Sequence, residues 1–252
     1  MSLTENNQYI RNVYVNRSKF PSFDQYPFNL PIIKSCTELP MHPNVTYLVG
    51  ENGMGKSTLL EAIAIAAGFN AEGGSFNFQF STFDSHSALD QYIRLIKGIN
   101  KPKDGFFLRA ETFYNVASNI ESLDSEPMAG PKVKDSFGGA SLHEQSHGES
   151  FFSTFSHRFR GNGLYILDEP EAALSPLRQM SLLSIMHELV AKDSQFIIAT
   201  HSPIMMAYPK ATIYELSEFG ANDVSLEETN HYSLMKQFFT DRDRLIHHLL
   251  ND

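Results

Sequence analysis

Apolar and polar positions along the chain follow two different periods. Short apolar runs, which are typical of buried strands, occur at residues 44–49, 164–167, 195–200 and 212–216. Residues 58–67 and 175–191 instead place apolar side chains at helical spacing. Ser175-Pro176 is a favourable helix start, because Ser caps the first turn and Pro suits its first position. The alternation of strands and helices predicts an α/β domain with a mainly parallel core sheet.

Other segments have weaker patterns. The alternation in residues 9–15 and the aromatic and proline residues of 18–31 predict an N-terminal antiparallel β part. Apolar side chains at Leu89, Ile93 and Ile96 predict a helix over residues 85–97. The remaining predictions are strands at 76–80 and 106–108, helices at 111–123 and 151–159, a loop at 126–142, and C-terminal helices from residue 231 that meet near Thr240.

The composition fits a protein with a sizeable core. The chain has 252 residues, 42% of them hydrophobic, and no apolar run reaches the roughly 18 residues of a membrane span. A net charge of −9 disfavours a general nucleic-acid coat, which needs clustered Lys and Arg. Cys36 is the one cysteine, so no intrachain disulfide forms, and the N-terminus lacks the apolar segment of a signal peptide. These features predict a cytoplasmic protein.

A phosphate-binding pattern, G-x-x-x-x-G-K-[ST], lies between a predicted strand and a predicted helix. Its residues are Gly50, Glu51, Asn52, Gly53, Met54, Gly55, Lys56, Ser57 and Thr58. The glycines let the backbone approach an anion, and the backbone N–H groups and the helix N-terminus attract phosphate. We expect Lys56 to reach the terminal phosphates and Ser57 to ligate Mg²⁺. The pattern therefore predicts a nucleotide site.

Two carboxylates and a histidine are candidates for the hydrolysis of a bound nucleotide. Asp168 ends a predicted strand and can hold Mg²⁺ together with Ser57. Glu169 leaves the strand in another direction and can act as the general base on the attacking water. His201 follows the next predicted strand and can contact the γ-phosphate. The other histidines lack the spacing of a zinc site.

These motifs, in this order, resemble those of the ATP-binding cassette (ABC) ATPases. The matches are residues 50–58 with Walker A, 146–149 with a divergent signature motif, 164–169 with Walker B, 172–175 with the D-loop and 199–202 with the switch-histidine loop. His147 and Glu149 stand where the signature usually has glycine and glutamine. The phrases GKSTLLEAIA, GFFLRAE, HGESF and LDEPEAALSP are similar to small stand-alone soluble members described as AAA-family ATPases.

The resemblance implies a P-loop NTPase fold that uses ATP and Mg²⁺. It also implies a head-to-tail homodimer enclosing two ATP molecules, in which Ser146, Gly148 and Glu149 of one copy meet the γ-phosphate bound at Lys56 of the other. The whole chain, residues 1–252, then forms one ATPase domain. Its nucleotide-binding core comprises residues 1–80 and 161–252, and a helical signature subdomain comprises residues 81–160.

Two family features have no unambiguous match. The Q-loop glutamine should follow the strand at residues 106–108, where Glu111 could contact the metal or water, whereas Gln79 comes too early. An aromatic residue that stacks on adenine could be Tyr26 or Phe28, although packing in the core is the alternative for either ring.

Three functions remain open from the sequence. The first is a soluble ATPase that dimerises on ATP and acts on an unknown effector protein. The second is the nucleotide-binding subunit of a transporter with a separate permease, against which the divergent signature and missing glutamine argue. The third is a DNA-associated ATPase of the SMC or repair type, which is disfavoured by the acidic charge and by the absence of heptads in residues 81–160.

Overall fold

The computed structural model describes residues 8–76, 87–110 and 147–251, together with the isolated positions 117, 118, 120, 124 and 135. Its strands are β1 (Ile10–Val15), β2 (Glu38–Pro40), β3 (Val45–Val49), β4 (Gly74–Ser75), β5 (Ile93–Lys97), β6 (Asp104–Arg109), β7 (Gly163–Asp168), β8 (Gln195–Ala199), β9 (Ala211–Ser217) and β10 (Gly220–Val224). Its helices are α1 (Pro31–Ser35), α2 (Lys56–Ala67), α3 (His147–Ser153), α4 (Pro176–Ala191), α5 (Pro203–Met206), α6 (Asn230–Thr240) and α7 (Arg242–Asn251).

A seven-stranded sheet forms the centre of the described part of the chain, in the order β10-β9-β3-β8-β7-β6-β4. The strands from β9 to β6 are parallel, and β10 and β4 pair antiparallel at the two edges. The predicted α/β fold with a mainly parallel core sheet is confirmed. Since parallel strands present their carboxyl ends at one edge, the residues that follow β3, β7 and β8 meet there.

The helix predicted over residues 85–97 is wrong. A 3₁₀ turn occupies Ala88–Tyr92, and the following residues form β5. This strand pairs antiparallel with β1, which also pairs with β2, so the predicted N-terminal antiparallel β part is present. Ile93 and Leu95 pack against the apolar core, whereas Arg94 is exposed. Pairing with β1 and this alternating burial outweigh the weak helical spacing.

Most other predicted elements are present with shifted ends. Ser175 caps α4 by accepting a hydrogen bond from the Arg178 N–H at 3.4 Å. The predicted helix at 151–159 begins earlier, as α3, and continues in a π-helical turn at Thr154–Arg158. The polar strand β10 had no sequence signal. Residues 77–80 of a predicted strand, most of the predicted helix at 111–123 and most of the predicted loop at 126–142 lie outside the described residues.

Two apolar clusters pack on opposite faces of the central sheet, one with α4 and the other with α2 and β1. Gln195 is fully buried where β8 begins and joins this sheet to β1. Its Oε1 accepts from the Tyr9 and Ile10 N–H groups at 3.1 and 2.9 Å, and its Nε2 donates to Ile10 O and His42 O at 2.8 and 3.0 Å. Within the described ranges, every helix is too short or too polar to cross a lipid bilayer.

Candidate active site

The two ends of the loop between β3 and α2 pack against β9 and α1. Gly50 has φ 139°, and a Cβ there would lie 2.7 Å from the carbonyl oxygen of Leu216 in β9, so this position excludes a side chain. The Met54 carbonyl accepts from the Ile32 N–H of α1 at 3.2 Å. Glu51, Asn52 and Gly53, by contrast, are exposed. The middle of the loop is therefore open to a ligand.

Lys56 spans this loop from the first turn of α2. Its side chain is buried, and Nζ donates hydrogen bonds to the carbonyl oxygens of Gly50 and Glu51 at 2.8 and 3.0 Å. Burial lowers the pKa of Lys56. The carboxylates that oppose this shift are those of Glu169, Asp168, Glu51 and Glu171. The ammonium group thus lies among acidic side chains at the loop.

Ser57 and Asp168 meet directly. The Ser57 Oγ donates to Asp168 Oδ1 at 3.0 Å, although the two residues are 111 positions apart. They are brought together because β7 places Asp168 at its carboxyl end, paired with Ala199 of β8, while the P-loop follows β3 on the other side of β8. This contact joins the two motifs that the sequence predicted to share a metal.

Arg109 lies on the other side of Asp168, at the end of β6. Its Nε is 3.7 Å from Asp168 Oδ2, and its Nη1 forms an ion pair with Glu61 Oε2 of α2. Glu61 Oε1 accepts in turn from the Ser87 N–H at 3.1 Å. The arginine therefore bridges the Walker B strand and the P-loop helix, and its guanidinium charge faces one carboxylate oxygen of Asp168 while Ser57 faces the other.

Glu169 turns away from the sheet and reaches His201. Its backbone is left-handed, with φ 50° and ψ 52°, and its N–H donates to the Ala199 carbonyl at 2.9 Å. The carboxylate Oε1 is 3.6 Å from His201 Nε2, and both side chains are partly exposed. Burial lowers the pKa of His201, and Lys56 adds to the shift. Both predicted catalytic side chains therefore face the same space beside the P-loop lysine.

Glu171 and Gln179 form hydrogen bonds with the loop that contains His201 and Ser202. Glu171 Oε1 accepts from the His201 N–H at 2.6 Å, and burial raises the pKa of Glu171. Ser202 Oγ donates to Gln179 Oε1 at 2.6 Å, while Gln179 Nε2 donates to the Leu174 carbonyl at 3.0 Å. These bonds connect the segment after Walker B to the loop that contains His201.

The predicted signature residues are only partly described. Glu149 lies in the first turn of α3, is exposed, and forms a 3.8 Å ion pair with Arg178 of α4. Gly148 belongs to the same helix, whereas Ser146 and Glu111 lie outside the described residues. Of the predicted signature side chains, Glu149 is therefore the one that the structure describes, and it contacts Arg178.

The two adenine candidates differ in access. Tyr26 is 63% exposed, and its hydroxyl is 3.4 Å from Thr58 Oγ1 in α2. Phe28 is 4% exposed and packs between Phe20 and Tyr92, so it is a core residue. Tyr26 remains the candidate, because its ring is free to stack on a base near the start of α2.

Sequence reasoning missed several residues of this site. Arg109 stands where the family has its Q-loop, yet its charge gave no sign of the contact with Asp168. Glu61 falls in an apolar, Ala-rich helix, and a single acidic residue there was a signal that could have been followed. His231, whose Nε2 is 2.9 Å from His201 Nδ1, lies 30 positions further along the chain and carries no motif.

Two family profiles match the chain. One, described as "AAA domain", matches residues 20–135, which include the P-loop. The other, described as "AAA domain, putative AbiEii toxin, Type IV TA system", matches residues 139–207, which include Asp168, Glu169 and His201. No curated protein matches.

Several solved structures are similar in fold. CbiO1 from Clostridium perfringens, part of the ABC transporter complex cbiONQ, is 17% identical with a TM-score of 0.48, over 97% of this chain and 100% of that chain. The ADP conformation of MJ1267, an ATP-binding cassette of an ABC transporter, is 15% identical with a TM-score of 0.48, over 96% and 98%. The SMC head domain from Thermotoga maritima is 17% identical with a TM-score of 0.44, over 86% and 100%. Identities below 25% indicate similarity of fold alone.

Proposed function

We propose that the chain is an ABC-type P-loop ATPase, which binds ATP with Mg²⁺ and hydrolyses it to ADP and phosphate. The observation that carries the proposal is the 3.0 Å hydrogen bond between Ser57 Oγ and Asp168 Oδ1. It unites the phosphate-binding loop with the carboxylates needed for hydrolysis. A binding module without catalysis would not need Glu169 beside this pair.

The donor set fits Mg²⁺. Ser57 and Asp168 offer a hydroxyl and a carboxylate oxygen, which are the hard ligands that this ion prefers. The region is also acidic, since four carboxylates act on Lys56, and a divalent cation would offset their repulsion of a polyphosphate. Bound there, Mg²⁺ would supply charge neutralisation at the β- and γ-phosphate oxygens. Glu111 is proposed as a further contact on family grounds alone.

Lys56 binds the phosphates in this proposal. Its ammonium group already lies across the loop, donating to Gly50 O and Glu51 O. Exchange of these carbonyl partners for β- and γ-phosphate oxygens gives stronger, charge-assisted hydrogen bonds. The N–H groups of the loop and of the first turn of α2 supply further donors to the anion.

Glu169 and His201 act on the attacking water. The Glu169 carboxylate takes a proton as the water oxygen bonds to the γ-phosphorus, and the bond to the β-phosphate oxygen breaks to release ADP. His201 Nε2, 3.6 Å from Glu169 Oε1, donates a hydrogen bond to the γ-phosphate and orients the water. The two side chains share a space with Lys56, which supports this division of roles.

We further propose an ATP-dependent homodimer. The resemblance of residues 146–149 to the signature motif supports this, and the helix N-terminus at His147–Ser153 offers backbone N–H groups for a phosphate of a second copy. Each copy, one domain over residues 1–252, would complete the other's site. We also propose a cytoplasmic location and an effector protein as partner.

The test is Glu169→Gln. This variant should bind ATP with unchanged affinity and lose about 10²- to 10⁴-fold in kcat, because the amide cannot take the proton. Phosphate release measures turnover, and size-exclusion chromatography with ATP should show an accumulated dimer.

Glu188→Gln is the matched control, because Glu188 is exposed on α4 away from the P-loop contacts. It should hydrolyse ATP at the wild-type rate. Turnover of Glu169→Gln at the wild-type rate would exclude Glu169 as the base, and a wild-type protein that does not release phosphate from ATP would refute the function itself.

A further inference from the structure

His201 and His231 form a direct hydrogen bond between their rings. His201 Nδ1 is 2.9 Å from His231 Nε2, with ring centroids 5.0 Å apart. This contact involves the nitrogen of His201 that does not face Glu169. It therefore leaves Nε2, at 3.6 Å from Glu169 Oε1, directed at the catalytic space.

His231 is held firmly in this position. It is the second residue of α6, whose N-cap Thr229 is fully buried and accepts from the Tyr232 N–H at 3.3 Å. The preceding residue, Asn230, donates its N–H to Glu215 Oε1 of β9 at 2.9 Å. Glu215 is paired in register with Val49, the last residue before the P-loop. The backbone at His231 is thus connected through β9 to the strand that precedes the P-loop.

The role of His231 depends on which of the two rings carries the proton of this hydrogen bond. A hydrogen bond between two imidazole nitrogens holds one proton, so one ring donates and the other accepts. Burial lowers the pKa of His201, with added effects of Lys56 and His231, while Glu169 and Glu51 oppose the shift. A neutral His201 has one N–H, and its position is set by the partner of the other nitrogen.

For a neutral His201, one arrangement suits the carboxylate oxygen that lies beside Nε2. A carboxylate and a phosphate oxygen can accept hydrogen bonds but not donate them. An N–H on His201 Nε2 can serve either of them, and this requires Nδ1 to be the acceptor. His231 Nε2 must then be the donor.

We propose that His231 is a positioning residue, which donates from its Nε2 to His201 Nδ1 and thereby holds His201 in the tautomer with its proton on Nε2. The catalytic importance of that tautomer rests on the proposed function. The tautomer itself is a property of the protein without nucleotide, so it can be tested even if hydrolysis is absent.

The experiment records long-range ¹H–¹⁵N spectra of ¹⁵N-labelled protein without nucleotide, which distinguish the two neutral tautomers of each histidine. His201 is assigned from the signals that disappear in His201→Gln. His231→Gln retains an N–H donor at a similar reach, and His231→Leu removes it. His247→Leu, at an exposed position of α7, is the matched control.

Wild-type protein, His231→Gln and the control should show the Nε2–H tautomer of His201, and His231→Leu should show a mixture. In the ATPase assay, kcat of His231→Leu should fall about 10- to 100-fold with KM for ATP unchanged, and His231→Gln should recover most of it. A wild-type His201 with its proton on Nδ1, or a His231→Leu spectrum identical to wild type, would overturn the proposal. Since wild type and His231→Gln each give a result, loss of folding in His231→Leu does not remove the test.

Discussion

The backbone conformation of Glu169 determines where its carboxylate lies. Its left-handed backbone costs a non-glycine residue about 1–2 kcal/mol. The hydrogen bond from its N–H to Ala199 O, at 2.9 Å, contributes to holding this conformation. The turn directs the carboxylate out of the sheet and towards His201, whereas Asp168 continues along β7 to Ser57. The two adjacent carboxylates thus lie in different directions, and the strained turn that separates them was not predictable from the sequence.

Lys56→Ala tests the phosphate contact at the residue scale. Removal of the ammonium group should abolish measurable ATP binding in calorimetry, because the remaining charges around the loop are largely carboxylates. Lys101→Ala, which alters an exposed lysine, should bind ATP as the wild type does. ATP affinity that survives Lys56→Ala would contradict the P-loop assignment.

The contacts of Arg109 could not be predicted from a sequence motif. The sequence places it where a glutamine loop is expected, and nothing in the neighbouring residues indicates its partners. Its contacts with Asp168 and Glu61 depend on two other elements, β7 and α2, which approach β6 only in the folded sheet. A residue that acts between elements cannot be assigned from its own segment.

At the scale of elements, the amino end of β6 anchors the segment that follows α3. Asp104 Oδ1 accepts from Arg158 Nη1 at 2.7 Å, and Oδ2 accepts from the Tyr165 hydroxyl at 2.8 Å and the Arg160 N–H at 3.2 Å. Burial acts to raise the pKa of Asp104, but the Arg158 pair and the other donors outweigh it and lower the pKa. The carboxylate therefore stabilises the junction between β6, β7 and the π-helical turn.

Asp104→Asn should lower the free energy of unfolding by about 2 kcal/mol at neutral pH, because a half-buried charge-assisted hydrogen bond is lost. The folded pKa lies below the unfolded value of about 3.9, so the contribution is present above that value and disappears as the pH falls through the folded pKa. Urea unfolding at neutral pH and near pH 3 should show this difference shrink.

Asp243→Asn is the control for this measurement, because Asp243 pairs with Arg242 in full exposure and should contribute little at either pH. Equal effects of the two substitutions at neutral pH would show that the Asp104 cluster does not stabilise the junction.

At the scale of elements, β5 was predicted as a helix because its partner strand is distant in the sequence. Its sequence has a helical spacing of apolar residues, yet it forms the edge of the small sheet. Local spacing could not anticipate β1 as a partner, since the two strands are about 80 residues apart and their pairing is a long-range contact. Helix α4, in contrast, was predicted with its cap, because Ser175-Pro176 acts within one turn.

At the scale of the whole molecule, the proposed homodimer places the signature stretch of one copy against the nucleotide site of the other. We expect Ser146→Arg to block ATP-dependent dimerisation and leave binding to the monomer intact, because a large side chain would stand where the partner's γ-phosphate docks. The variant is made in the Glu169→Gln background and examined by size-exclusion chromatography with and without ATP.

Ser184→Arg, at an exposed position in α4, is the control and should dimerise with ATP. Dimers of the Ser146→Arg protein would remove the signature stretch from the interface. If the Glu169→Gln protein alone stays monomeric in ATP, the proposed homodimer itself is refuted.

By itself, the sequence determined the α/β fold, the P-loop, the carboxylates at the end of β7 and the histidine after β8. These features are local: a glycine-rich turn, a strand end and a helix cap each depend on a few consecutive residues. Only the tertiary structure decided which side chains meet, as in the bond of Ser57 to Asp168, the bridge made by Arg109 and the ring contact of His201 with His231. Those contacts follow from strand order and register, because hydrogen bonds in the parallel sheet align residues that are far apart in the chain.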